Sequence, residues 1–130
     1  MGGNRCYWER EGSGNILVNG NITGNNIVTI LATDVEFVTQ GCGTWTPLPA
    51  SGLQAGTFGN GIWAVGIQIA PGTYSAPGGV NCYWKRESDL TGSSAAVLAQ
   101  GNATARTTVS VAPTDKGFQT QGCGTWTKSG

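Results

Sequence analysis

Along residues 63–69, Trp63, Val65, Ile67 and Ile69 alternate with Ala64, Gly66 and Gln68, the period of a β-strand with one buried face. Pro71-Gly72 follows as a turn signal and leads into a short strand around Tyr74. Residues 107–111, TTVSV, are rich in β-branched side chains, and residues 27–31, IVTIL, form a nearly continuous apolar run suited to a strand buried on both faces. Phe37-Val38-Thr39-Gln40 and Phe118-Gln119-Thr120-Gln121 read as further strands, each stopped by Gly-Cys-Gly, and the two Cys-Tyr-Trp segments read as strands as well. Helix-compatible composition is confined to residues 93–100, SSAAVLAQ. The pattern predicts an all-β chain of two small, mostly antiparallel modules.

The two modules follow from internal repetition. Residues 2–11, GGNRCYWERE, match residues 78–87, GGVNCYWKRE, with seven identities in ten. Residues 16–46 match residues 97–127 with sixteen identities in 31. The length difference falls where residues 12–15 stand opposite residues 88–96, which predicts a surface loop that tolerates insertion. Residues 47–56, PLPASGLQAG, read as a linker. The expected organisation is a truncated repeat over 1–46, this linker, and a complete repeat over 57–130. The second copy carries residues 57–77 before its Gly-Gly-x-x-Cys-Tyr-Trp segment, and the first copy has only Met1 in their place. The first copy is therefore expected to lack an N-terminal hairpin.

Composition narrows the functions open to such a chain. Seven Lys and Arg balance seven Asp and Glu, and only 11% of residues are charged, so the surplus of cations needed for nucleic-acid or anionic-membrane binding is missing. Histidine is absent, which removes Ser-His and Cys-His nucleophile pairs and His-based zinc sites. No apolar stretch approaches the length of a membrane span. Asp34 and Asp115 recur in the two copies after a threonine and are expected to make Asx-type turns rather than a catalytic carboxylate pair. No catalytic site, cofactor or metal is expected.

The four cysteines allow three pairings. Each copy holds one Cys-Tyr-Trp and one Gly-Cys-Gly-Thr-Trp, and this repetition selects Cys6 with Cys42 and Cys82 with Cys123. Reduced cysteines on a shared metal are the alternative, but no Cys-x-x-Cys clip is present.

The aromatic residues offer two roles. Trp8 and Trp84 share a strand face with their cysteines and are expected in the core. Trp45 and Trp126 lie three residues after a cysteine, so they divide between packing on the disulfide and forming a platform for a sugar ring or an apolar partner. Tyr7 and Tyr83 point the other way and mark a second candidate contact strip. Arg10-Glu11 and Arg86-Glu87 recur as candidate surface ion pairs, which contribute little to stability.

The segments FGNGIWAVGIQIAPGTYSAPGGVNCYWKRES and APTDKGFQTQGCGTWT resemble a repeat unit of secreted or cell-surface actinobacterial proteins and of the phages that infect these bacteria. In that family a Gly-x-x-x-Val-Gly-x-x-Ile-x-Pro-Gly-Thr-Tyr hairpin precedes the Cys-Tyr-Trp strand and the closing Gly-Cys-Gly-Thr-Trp. The resemblance covers residues 57–127 as a full unit and residues 2–46 as a unit without its hairpin. It implies a disulfide-bonded extracellular β module with no established activity.

Two functional expectations follow. The first is a non-catalytic virion surface protein, a capsid decoration or tail component, suggested by a start at Met1-Gly2-Gly3-Asn4 without a basic, apolar leader. The second is a secreted cell-surface binding module, with glycans among its candidate ligands. In either case the strands left uncovered by the missing hairpin, with Ile27 and Ile30 at their centre, are expected to meet a protein partner: a second copy in a ring, or a capsid or tail protein.

Overall fold

A computed structural model describes residues 5–129 as an all-β protein built from three antiparallel sheets. Gly2 and Gly3, which open the first repeat segment, lie outside the described residues. The first sheet holds β1 (Arg5–Gly12), β2 (Asn15–Thr23) and β3 (Glu36–Gln40), in the order β2-β1-β3. The remaining strands are β4 (Thr57–Phe58), β5 (Gly61–Ala64), β6 (Gly72–Ala76), β7 (Tyr83–Glu87), β8 (Val97–Asn102), β9 (Thr107–Val111), β10 (Gly117–Gln121) and β11 (Trp126–Lys128). They form two four-stranded sheets, β5-β10-β7-β8 and β4-β11-β6-β9.

Repetition in sequence becomes repetition in register. Trp8 stands opposite Gly20 and Trp84 opposite Gly101; Tyr7 pairs with Gln40 and Tyr83 with Gln121. A register shift falls between Arg10 and Glu11 and again between Arg86 and Glu87. The glycines opposite the tryptophans are sterically required. A Cβ at Gly20 would lie 2.8 Å from the Trp8 ring, and one at Gly101 would lie 2.9 Å from that of Trp84.

The second copy is a two-sheet sandwich. Its core joins Phe118 of one sheet to Phe58, Tyr74, Val109, Val111 and Trp126 of the other, together with Cys82, Cys123, Val65 and Ile69. Phe58 is the hub, with ring centroids 5.0 Å from Tyr74, 5.7 Å from Phe118 and 6.5 Å from Trp126. Disulfides join Cys6 to Cys42 and Cys82 to Cys123, one within each copy. For separations of 36 and 41 residues, restriction of the unfolded chain is worth about 3.8 kcal/mol each.

The first copy has only one sheet of the sandwich. Its β1, β2 and β3 correspond to β7, β8 and β10, and among the described residues no strand corresponds to the sheet containing β4 and β6. This overturns the expectation of a strand over residues 27–31, which take no strand pairing. The counterpart strand, β9, exists by pairing with β6, and the first copy has no β6. An apolar run without a neighbour cannot satisfy its backbone groups in a ladder. Here the Thr29 N–H donates instead to the Leu90 carbonyl at 2.7 Å.

Two other expectations are corrected. The alternation over residues 63–69 is not one strand: β5 ends at Ala64, and the chain turns through Gly66, whose φ of +86° favours glycine. The Gly66 N–H donates to the Ile69 carbonyl, and Gln68 Oε1 accepts the Ala64 N–H. The buried side chains are consequently Ile62, Ala64, Val65 and Ile69. The helix-compatible stretch yields one 3₁₀ turn, Ser94–Ala96, before β8 begins.

The loop opposite residues 12–15 is not a free insertion. Its residues 90–92 pack on the first copy: besides the Leu90 contact, the Thr91 carbonyl accepts from Arg10 Nη1 at 2.8 Å, and Gly92 lies against Trp8 and Val18. A second junction forms where Asn25 bridges to Gly61 beside β5. There the Asn25 carbonyl accepts the Ile62 N–H, Asn25 Nδ2 reaches the Ile62 carbonyl, and Gln121 Nε2 donates to the Thr23 carbonyl. The end of the linker is also tied down, since Gln54 and Ala55 donate to the carbonyls of Ile67 and Gln68.

Candidate interaction surface

The residues expected to contact a partner separate into three environments. Trp126 belongs to the core: it is fully buried, its Nε1 donates to Thr120 Oγ1 at 2.8 Å, and its ring meets Phe118 edge-on and Phe58 face-on. It cannot reach a partner in the folded chain. Trp45 repeats the first half of that arrangement, with Nε1 donating to Thr39 Oγ1 at 2.9 Å and its ring edge-on to Phe37 at 5.2 Å. The ring that would complete it, a counterpart of Phe58, is missing, and Trp45 is only half-buried.

Around Trp45 lies an open groove of about 1120 Å³. Ile27, Val28, Ile30, Trp45, Pro47 and Leu48 line it, together with Phe37 and the Cys6–Cys42 disulfide. Among the described side chains, no Asp, Glu, Lys or Arg lines it. Ile30 is 53% exposed. The structure thus gathers Trp45, Ile27 and Ile30 at one surface and leaves Trp126, Tyr7 and Tyr83 outside it.

Tyr7 faces a smaller cleft of about 430 Å³ between the copies, where Asn19 and Asn21 oppose Lys85, Glu87 and Gln119. Its hydroxyl donates to Glu9 Oε1, and this bond raises the phenol above its ordinary value. Burial pushes the Glu87 carboxyl up, against the pull of Lys85 Nζ at 3.6 Å. Tyr83 is half-buried and donates to Gln100 Oε1.

The repeated arginines do not pair with their neighbouring glutamates. Arg10 makes a bidentate pair with Asp34 at 2.7 and 2.9 Å, and Arg86 does the same with Asp115 at 2.7 and 3.0 Å. Each aspartate also accepts a backbone N–H from three residues upstream, Leu31 or Ala112, so it closes a turn in the direction opposite to an Asx turn. Both carboxylates are thereby committed to structure. The Arg10 guanidinium holds the Asp34 carboxyl below its ordinary value. Among the described residues, no group of three or more His, Cys, Asp or Glu side chains could hold a metal ion, and no helix is long and apolar enough to cross a membrane.

Sequence reasoning missed Phe37 and Leu48 as groove residues. The signal was available in the repeat: Phe37 aligns with Phe118, which packs on Phe58 of β4, and β4 belongs to the stretch preceding the second Cys-Tyr-Trp segment.

These features define a disulfide-bonded β-repeat protein with one complete sandwich and one half-sandwich that presents an apolar groove. The chain belongs to the Rv1352-like extracellular domain family, whose model matches residues 1–46 and 55–127. No curated protein and no solved structure matches it.

Proposed function

We propose that the protein is a non-catalytic extracellular interaction module that binds another polypeptide through the open side of its first repeat. The observation that carries this reading is the contrast between equivalent tryptophans: Phe58 covers Trp126, whereas Trp45 stands in an open groove whose described lining carries no charge and no ring equivalent to Phe58. An apolar concavity of this size on a small domain is the usual character of a protein-binding surface. The extracellular family supports a secreted protein over a virion component. Commitment of Asp34 and Asp115 to arginines, with no histidine in the chain, supports binding rather than catalysis.

A photo-crosslinking residue placed at position 30, which lines the groove, and another at position 98, on β8, test the reading against extracellular and cell-wall fractions of an actinobacterium. A protein adduct specific to position 30 is expected. Adducts to glycan alone, or equal labelling from both positions, would overturn it.

A further inference from the structure

The complete copy shows what the incomplete one is missing. In the second copy β6 lies between β11 and β9, pairing Tyr74 with Lys128 on one side and with Val109 on the other. The repeat offset places residues 26–30 where β9 stands and residues 45–47 where β11 stands. Residues of both segments line the groove. In that alignment the groove falls where the complete copy has β6.

From this we infer that the first copy is an acceptor for one inserted β-strand, supplied by a partner polypeptide as an uncharged extended segment with an aromatic side chain in the place of Tyr74. The inference rests on the reading of the groove as a protein-binding surface. Three observations select this occupant. The described lining of the groove holds no charged residue, and the native strand at the aligned place in the complete copy, GTYSA, has none either. The groove is also continuous with the established junction between the copies, because Asn25 and Gln68, hydrogen-bonded to each other at 3.0 Å, line its end. Its volume of about 1120 Å³ exceeds the roughly 300–1,000 Å³ of small-molecule pockets and suits a peptide strand.

The edge of the groove sets the number of strands at one. In the second copy the Lys128 N–H donates to the Gly56 carbonyl on the β4 side. The aligned residue in the first copy is Pro47, which has no N–H. The demand for a β4 equivalent is therefore reduced, while the β6 position stays open. A folded second copy is a poor donor, since its own Tyr74 is fully buried and its own β6 is paired on both sides.

The test titrates the full-length, oxidised chain with a synthetic peptide of residues 70–77, APGTYSAP, and follows amide and indole resonances. Saturable shifts at Val28, Ile30 and the Trp45 indole are expected, with Val109 and Trp126 unmoved. A peptide carrying Tyr74→Ala should bind about tenfold more weakly or worse, as loss of a buried aromatic requires. Ile30→Asp in the chain, at an exposed position that leaves the fold intact, should have a similar effect, and Leu98→Asp should have none. Absence of saturable shifts at millimolar peptide, shifts confined to the second copy, or a dimer formed by exchange of residues 57–76 would each overturn strand insertion. A protein crosslink at position 30 combined with failure of this titration would leave the protein-binding reading standing and remove only the inserted strand.

Discussion

Trp45 and Trp126 hold the same place in their repeats and hydrogen-bond the same way, to Thr39 and Thr120, yet Trp126 has no exposed surface and Trp45 borders an open groove. The difference is the Phe58 ring, which stacks on Trp126 and has no counterpart over Trp45 among the described residues. Trp126→Ala should cost about 3–5 kcal/mol of unfolding free energy, the range for emptying a packed aromatic site. Trp45→Ala should cost about 1 kcal/mol, because its ring lacks the Phe58 contact and is already partly hydrated. Denaturant unfolding of the two variants, followed by far-UV circular dichroism, measures both.

The disulfides should behave as independent clamps of unequal consequence. Replacing Cys82 and Cys123 together by alanine should remove about 3–5 kcal/mol, since both sulfurs lie in the core and a void is added to the loss of loop restriction. Replacing Cys6 and Cys42 should cost about 2–4 kcal/mol, with little void because Cys42 is only half-buried. Non-reducing peptide mapping should recover Cys6 linked to Cys42 and Cys82 linked to Cys123.

Loop 88–96 should matter to the first copy more than to its own. Gly92 has a φ of +86°, and a Cβ there would meet Val18 at 2.7 Å and the Trp8 ring at 2.9 Å. Gly92→Val should therefore lift the loop from Trp8 and weaken the protein by about 1–3 kcal/mol. Faster hydrogen exchange in β1 and β2 than in β7 and β10 would identify the loosened copy.

Two carboxyls give stability opposite slopes with pH. Arg10 lowers the Asp34 value in the folded chain, so the stability this group contributes is present above its ordinary range and is lost as pH falls through the lowered value. Burial raises the Glu87 value, so the folded chain holds that proton more tightly and loses stability as pH rises from the ordinary carboxyl range through the raised value. Glu87→Gln should flatten the decline on the rising side, and Asp34→Asn should flatten the decline on the acid side. Chemical denaturation between about pH 3 and 7 resolves the two.

Much of this architecture was legible in the chain. The repeat carried the strands around Cys6 and Cys82 and the disulfide pairing, because register and covalent closure are encoded by local motifs. The hairpin expected over residues 57–77 is not one: β5 pairs with β10 in one sheet, and β6 with β9 and β11 in the other. Residues 27–31 were misread because a strand is a property of a pair: their β-rich composition has no neighbour to pair with, while that of residues 107–111 has β6. The Arg10–Asp34 and Arg86–Asp115 pairs were hidden for a related reason. Their partners are 24 and 29 residues apart and meet only across the folded sheet, whereas the adjacent glutamates suggested a closer partner. The loop over 88–96 looked like a tolerated insertion, since nothing local marks Gly92 as the residue that lies on Trp8.

The claim that organises all of this is that the first copy is a sandwich with one sheet missing and its inner side open to solvent. Hydroxyl-radical footprinting with residue-level mass spectrometry on the isolated chain tests it most directly. Trp45 and Phe37 should be oxidised many times faster than Trp126 and Phe118, their aligned partners. Equal protection of Trp45 and Trp126 in the isolated chain would show that another segment already closes the groove and would contradict the account.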